Sequence, residues 1–229
     1  MVEITNVKVF GLEDSVIASG NAMRIEPEEF STDAFLRGLA RCKKLVAFGG
    51  GSGHTNFRTG IIVSFDLKYP QYFTKQLQRY HFVQYVSSTS MMHCITKMDF
   101  SKCTNKYVSK KLIQMMGYMI STYNQMIDTK SNDESWERVV DNYKMLLDYY
   151  EMDSNGIAIM SKDDLIYDCY MRIISNCPMG AELWVHCTTN YEQLATIYKQ
   201  RKNHRLKEDW GEFCKFIENL PSARDLIIS

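Results

Sequence analysis

The sequence predicts an α+β protein on three observations. Residues 61–67 alternate between apolar and polar side chains, as a half-buried strand does. Several longer stretches repeat their apolar residues at helical spacing, and no internal repeat suggests a solenoid or a propeller. The chain has 229 residues, of which 45% are hydrophobic, so it can bury a sizeable core. No low-complexity linker divides it, and it is read as one domain, 1–229, with a helical insertion at about 105–160.

Taken in order, the first forty residues carry the weakest pattern. FSTDAFLRGLARCKKLVAFGGGSGH then predicts a helix capped by Thr32 or Asp33, with Phe35, Leu36, Leu39 and Ala40 on one face and the glycines from Gly49 ending it. GIIVSFDL supplies the strand, which Tyr69-Pro70 ends. QYFTKQLQRYHF forms a helix that places Phe73, Leu77 and Tyr80 on one side and Gln76 and Arg79 on another, and the chain leaves it near Val83. Helices follow at roughly 105–129, 133–152 and 162–176, the last stopped by Pro178 and Gly180.

Charge narrows the function classes. Lys plus Arg and Asp plus Glu both total 27, so no long-range field draws the chain to bulk nucleic acid or an anionic membrane. An anion must therefore be gripped locally. The start MVEITNVKVFGLEDS lacks the basic, then apolar, character of a signal peptide, and no run approaches the ~18 apolar residues of a membrane span. A cytoplasmic protein is expected. Seven cysteines without CxxC spacing argue for reduced, mostly buried thiols and against a zinc site.

Two stretches carry candidate chemistry. In VHCTTNYEQLATIYKQRKNHRL, Thr189 and Glu192 have capping-box spacing, while Asn190, Ile197 and Arg201 share a helix face with Arg205 just off it. Taken alone, Asn190 is equally an N-cap, and Arg201 equally part of a basic helix end favoured by the macrodipole. In QLQRYHFVQYVSSTS, residues 76–90, Gln76, Arg79 and His81 gather near a helix end, and the serine run that follows reads as a solvated loop with a cap. GGGSGH before the strand lacks both the Walker lysine and GxGxxG spacing, so it is a turn before it is a phosphate cradle. The methionines of QMMGYMI fall in apolar helical stretches and suit core packing.

Two gapless blocks give these residues a context. GHTNFRTGIIVSFDLKYPQYFTKQLQRYH and CPMGAELWVHCTTNYEQLATIYKQR resemble the flavin-dependent thymidylate synthases, with His54, Pro70, Gln76 and Arg79 matching in the first, and Pro178, Thr188, Asn190, Leu194 and Arg201 in the second. The resemblance implies a mixed sheet packed with several long helices and a homotetramer. It implies conversion of dUMP, a pyrimidine nucleotide, with FAD as cofactor and NADPH and methylenetetrahydrofolate as co-substrates. Arg201 would be the catalytic group, neutralising charge on the pyrimidine. Gln76, Arg79, Thr89, Ser90 and Arg201 would bind substrate, and His54, Arg79, His81, Asn190 and Arg205 would bind the flavin.

The chain also departs from the family pattern. Arg-His-Arg becomes Arg79-Tyr80-His81, Asn-Glu becomes Val86-Ser87, and the serine position is Thr89 with Ser90 one place late. Two phosphate-binding arginines are replaced by Met91 and Ile174, and a flavin-shell arginine by Glu192. Each lost hydrogen bond to a charged group removes about 1.5–3 kcal/mol from phosphate binding. The expected activity is thus reductive one-carbon transfer to dUMP or a related pyrimidine nucleotide. A nucleotide-binding or protein-interaction homologue without flavin chemistry is the alternative.

Overall fold

The computed structural model describes residues 1–48 and 53–228. The class is α+β: a four-stranded sheet in the order β1-β2-β4-β3, with long helices. Its strands are antiparallel, where the family resemblance implied a mixed sheet. They span Glu3–Phe10 (β1), Ile62–Pro70 (β2), Gln84–Ser88 (β3) and Glu182–Asn190 (β4).

The chain forms two compact units. One comprises Met1–Ser88 and Leu183–Ser229, the other Thr89–Glu182. The first holds the sheet with helices α1 (Leu12–Ala18), α2 (Thr32–Ala47) and α3 (Gln71–Leu77). The second holds α4 (Met91–Cys94), α5 (Lys110–Thr129), α6 (Asp133–Tyr149) and α7 (Lys162–Ser175). After β4 the first unit resumes with α8 (Tyr191–Arg201), α9 (Lys207–Glu218) and α10 (Ala223–Leu226).

In the sheet unit, strand alternation sets what is buried. Val63, Phe65 and Leu67 of β2 and Leu183, Val185 and Cys187 of β4 turn to the core, where Phe73, Trp210 and Phe213 meet them. The intervening residues Ser64, Asp66 and His186 face the other side and join into one chain of hydrogen bonds. His186 Nδ1 lies 2.6 Å from Asp66 Oδ1, and Ser64 Oγ lies 3.0 Å from His186 Nε2. Asn6, at φ 51 within a register shift of β1 against β2, donates to the second Asp66 oxygen.

Helix α2 departs from the sequence reading. Ser31, not Thr32 or Asp33, accepts from Ala34 N, and the buried face is Ala34, Gly38, Cys42 and Val46, leaving Leu36 exposed. Gly38 explains the rotation: a Cβ there would stand 2.7 Å from Val16 O, so only glycine permits α1 and α2 to approach so closely. The run 49–52, expected to end this helix, lies outside the described residues.

The helical unit follows local rules. Ser109, Asn132 and Ser161 each accept a backbone hydrogen bond three residues on and so start α5, α6 and α7. Their apolar faces, including Met116, Met119, Tyr143, Leu147, Cys169 and Ile173, form one core. The first helix starts five residues later than expected, because residues 105–108 form a turn closed by Val108 N to Asn105 O at 3.2 Å. No helix among the described residues is long and apolar enough to cross a membrane.

Candidate functional site

The sheet unit brings two of the expected residues, Gln76 and Arg201, together around one tryptophan. Helix α3 ends at Leu77, earlier than the sequence suggests, and two successive turns place Tyr80 back against the core. From α8, Arg201 Nε donates to Tyr80 Oη at 2.6 Å, and Tyr80 Oη donates in turn to Gln200 Oε1 at 3.0 Å. The Arg201 guanidinium lies 4.7 Å from the Trp210 ring centroid and 5.4 Å from that of Tyr80. Trp210 Nε1 donates to Gln76 Oε1 at 2.9 Å.

These contacts fix a cation without neutralising it. Cation–π stacking holds the guanidinium plane while leaving its edge for ligand. Among the described residues Arg201 forms no ion pair, and its hydrogen bond uses Nε, so the terminal amino groups keep their donor capacity. Trp210 is fully buried and packs on Phe73 at 4.5 Å, which anchors Arg201 and Gln76 to the core.

His204, just after α8, adds a defined donor. Its Nδ1 accepts from Leu206 N at 3.1 Å, which leaves the proton of the neutral ring on Nε2. Burial, then the charges of Arg201 and Arg205, lowers its pKa from the ordinary histidine value. The shift favours the neutral ring.

Asn190 is the N-cap of α8: its Oδ1 accepts from Gln193 N at 2.8 Å. This corrects the Thr189–Glu192 capping box. Thr189 Oγ1 is buried with no hydrogen-bond partner among the described residues, because β4 continues through Asn190 and turns that hydroxyl to the core. Glu192 instead pairs with buried Arg58 at 3.4 Å, and Arg58 Nε donates to Leu226 O. The Glu192 carboxylate thus has its own countercharge. Gln193, buried in the same turn, accepts from Phe82 N at 3.3 Å.

Other expected residues are placed differently. Arg79 and His81 are exposed, and His81 contributes its carbonyl to Gln84 Nε2 at 2.8 Å. His54 is exposed with its ring 6.4 Å from that of Phe48. Arg205 does not continue the Arg201 face, because α8 ends at Arg201 and the chain turns. Thr89 and Ser90 belong to the helical unit, where Ser90 Oγ caps α4 by accepting from His93 N. In that unit Ile174 packs against the core, and Arg172 is committed to Asp168 at 2.7 Å.

Sequence reasoning missed Trp210, Tyr80 as an arginine partner, and the Ser64–His186–Asp66 chain. A signal existed only for the first: Trp210, Phe213, Cys214 and Ile217 have helical apolar spacing.

No protein-family model matches the chain, and no curated protein matches it by sequence. Solved structures do. A flavin-dependent thymidylate synthase ThyX from Helicobacter pylori, complexed with FAD and dUMP, is similar at TM-score 0.57 and 13% identity, over 99% of this chain and 97% of that one. A second structure of the ThyX from Helicobacter pylori with FAD and dUMP gives TM-score 0.58 and 12% identity, over 100% and 97%. At such identity the likeness is one of fold, and it extends over the whole chain: the protein has a ThyX-like fold.

Proposed function

We propose that the protein is a flavin-dependent thymidylate synthase-like enzyme that binds a pyrimidine nucleotide such as dUMP and performs reductive one-carbon transfer to it. The observation that carries this reading is Arg201, held on Tyr80 and Trp210 with its terminal amino groups free of ion pairs among the described residues. The two solved neighbours in complex with FAD and dUMP support it.

The residues of the sheet unit suit such ligands. Asn190 uses Oδ1 as a cap but keeps its amide N–H groups, which can donate to a flavin carbonyl. Exposed Arg79 and His81 can meet its phosphates, with His54 and Arg205 as further cations in this reading. Bound FAD would supply the hydride chemistry, with NADPH and methylenetetrahydrofolate as co-substrates and the chain assembled as a homotetramer.

Arg201 then stabilises negative charge that develops on the pyrimidine as C5 becomes nucleophilic. A fixed guanidinium does this with little reorganisation, and no cysteine nucleophile is required. Tyr80 and Trp210 hold Arg201 in place, while Gln76 keeps its amide nitrogen for the base after Oε1 accepts from Trp210.

Titration of the purified protein with FAD, followed by visible absorption after dialysis, tests the reading. A retained flavin band that dUMP perturbs is expected, with Arg201→Ala abolishing the perturbation. Failure to retain flavin at saturating FAD would rule out the redox mechanism.

A further inference from the structure

At the corner where α8 gives way to α9, Arg201, Lys202, Asn203, His204, Lys207 and Gly211 line a cavity of about 390 Å³. Three of these residues are permanent cations, and none carries a carboxylate. Asn203 can donate through its amide, and His204 through Nε2–H, since its Nδ1 already accepts. The wall therefore presents donors and positive charge. Among the described residues neither Lys202 nor Lys207 is ion-paired.

The macrodipole of α8 accounts for cations at its end, including Arg201 and Lys202. It does not account for Lys207. That lysine is the first residue of α9, where the helix dipole is positive and a cation is unfavourable. Helix α9 also lacks a side-chain cap, since Leu206 precedes it. Two carboxylates share that first turn, Glu208 and Asp209, and neither lines the cavity; that of Asp209 is buried and accepts from Val2 N at 3.3 Å and Tyr72 Oη at 2.7 Å.

Gly211 is a second, independent observation. Glycine inside a helix costs roughly 0.5–1 kcal/mol relative to alanine. A Cβ at Gly211 would meet nothing within 4 Å, so close packing does not require glycine there. The residue keeps one wall of the cavity open.

We propose that this cavity binds the phosphate dianion of a nucleotide monophosphate. The identity of the phosphate's carrier rests on the nucleotide reading above; the anion site itself rests on the cavity. It would give this chain its own phosphate grip where Met91 and Ile174 have replaced two family arginines.

The test is calorimetric titration of the wild-type protein, the double variant Lys202→Ser/Lys207→Ser, and Gly211→Glu with dUMP, deoxyuridine and inorganic phosphate. Wild type should bind dUMP about tenfold or more tightly than deoxyuridine, with an advantage that shrinks as salt screens it. Both variants should lose the advantage while keeping deoxyuridine affinity. Lys215→Ser, on the same helix but outside the cavity, controls for folding and for loss of a charge and should retain it. Variants that keep the full preference for dUMP would overturn the anion site and leave the nucleotide reading standing. Phosphate binding that Gly211→Glu abolishes, in a protein that takes neither dUMP nor deoxyuridine, would uphold the site and overturn the nucleotide reading.

Discussion

The two units solve the burial of polar groups differently. In the helical unit, polar side chains mostly serve local ends: caps at Ser109, Asn132 and Ser161, and exposed pairs such as Arg138–Glu134. Its part-buried network, Tyr143–Asp168–Arg172, joins neighbouring helices over 25 residues or fewer, while the exposed bond from Tyr170 Oη to Met92 O reaches across 78. In the sheet unit the partners are remote: Arg201 to Tyr80 spans 121 residues, His186 to Asp66 120, and Arg58 to Leu226 168. Polar groups tied across such distances can be held with the fixed geometry a binding site needs. The helical unit gains stability from its polar residues, and the sheet unit gains orientation.

Substitutions can sharpen this contrast. The largest loss should come from Trp210→Ala, about 3–5 kcal/mol by urea unfolding, matched by about 2–5 kcal/mol for Leu147→Ala in the helical core. Only the former should weaken dUMP binding under conditions where both proteins remain folded. Equal binding losses would remove the distinction.

Glu192→Gln should cost about 1.5–3 kcal/mol, the worth of a hydrogen bond to a charged group, since it withdraws the countercharge from Arg58, whose side chain is 5% exposed. Replacing Arg58 with Met alongside it should recover part of that loss in the same unfolding assay.

Two caps provide a closely matched pair. Asn190→Ala and Ser109→Ala should each cost about 1 kcal/mol in thermal unfolding. FAD titration then separates them, because only the Asn190 variant is expected to lower flavin affinity.

The smallest effect concerns pH. The Asn6 amide, and then His186, holds the Asp66 carboxyl below its ordinary range. A depressed carboxylate contributes stability that is present above its unfolded pKa of about 3.9 and lost as pH falls through the folded value. Asp66→Asn should therefore flatten the acid limb of a stability–pH profile below about pH 4, and an unchanged limb would show that the Asn6–Asp66–His186 chain adds nothing.

Long helices were legible because their caps and apolar faces lie within one segment, as in α6 and α7. Strand β1 was not, because most of its residues are exposed and a register shift interrupts the alternation. Arg201 was legible through its spacing from Asn190, yet the residues that hold it were not. Tyr80 read only as an apolar-face residue, and nothing in the local pattern says that its hydroxyl meets a guanidinium. Arg205 failed for the opposite reason: helical periodicity was carried past Arg201, where the backbone turns.

The burial of Cys42, Cys187 and Cys214 in the sheet unit and Cys169 in the helical unit gives each unit a native reporter of its own opening. Burial pushes the thiols of Cys169 and Cys187 up to about 12 and that of Cys214 to about 11, so as folded they present almost no thiolate to an alkylating reagent at neutral pH. Each becomes reactive only when its surroundings open. Pulse alkylation read by peptide mass would time the opening of the sheet unit through Cys187 and Cys214, and that of the helical unit through Cys169, without introducing a single label.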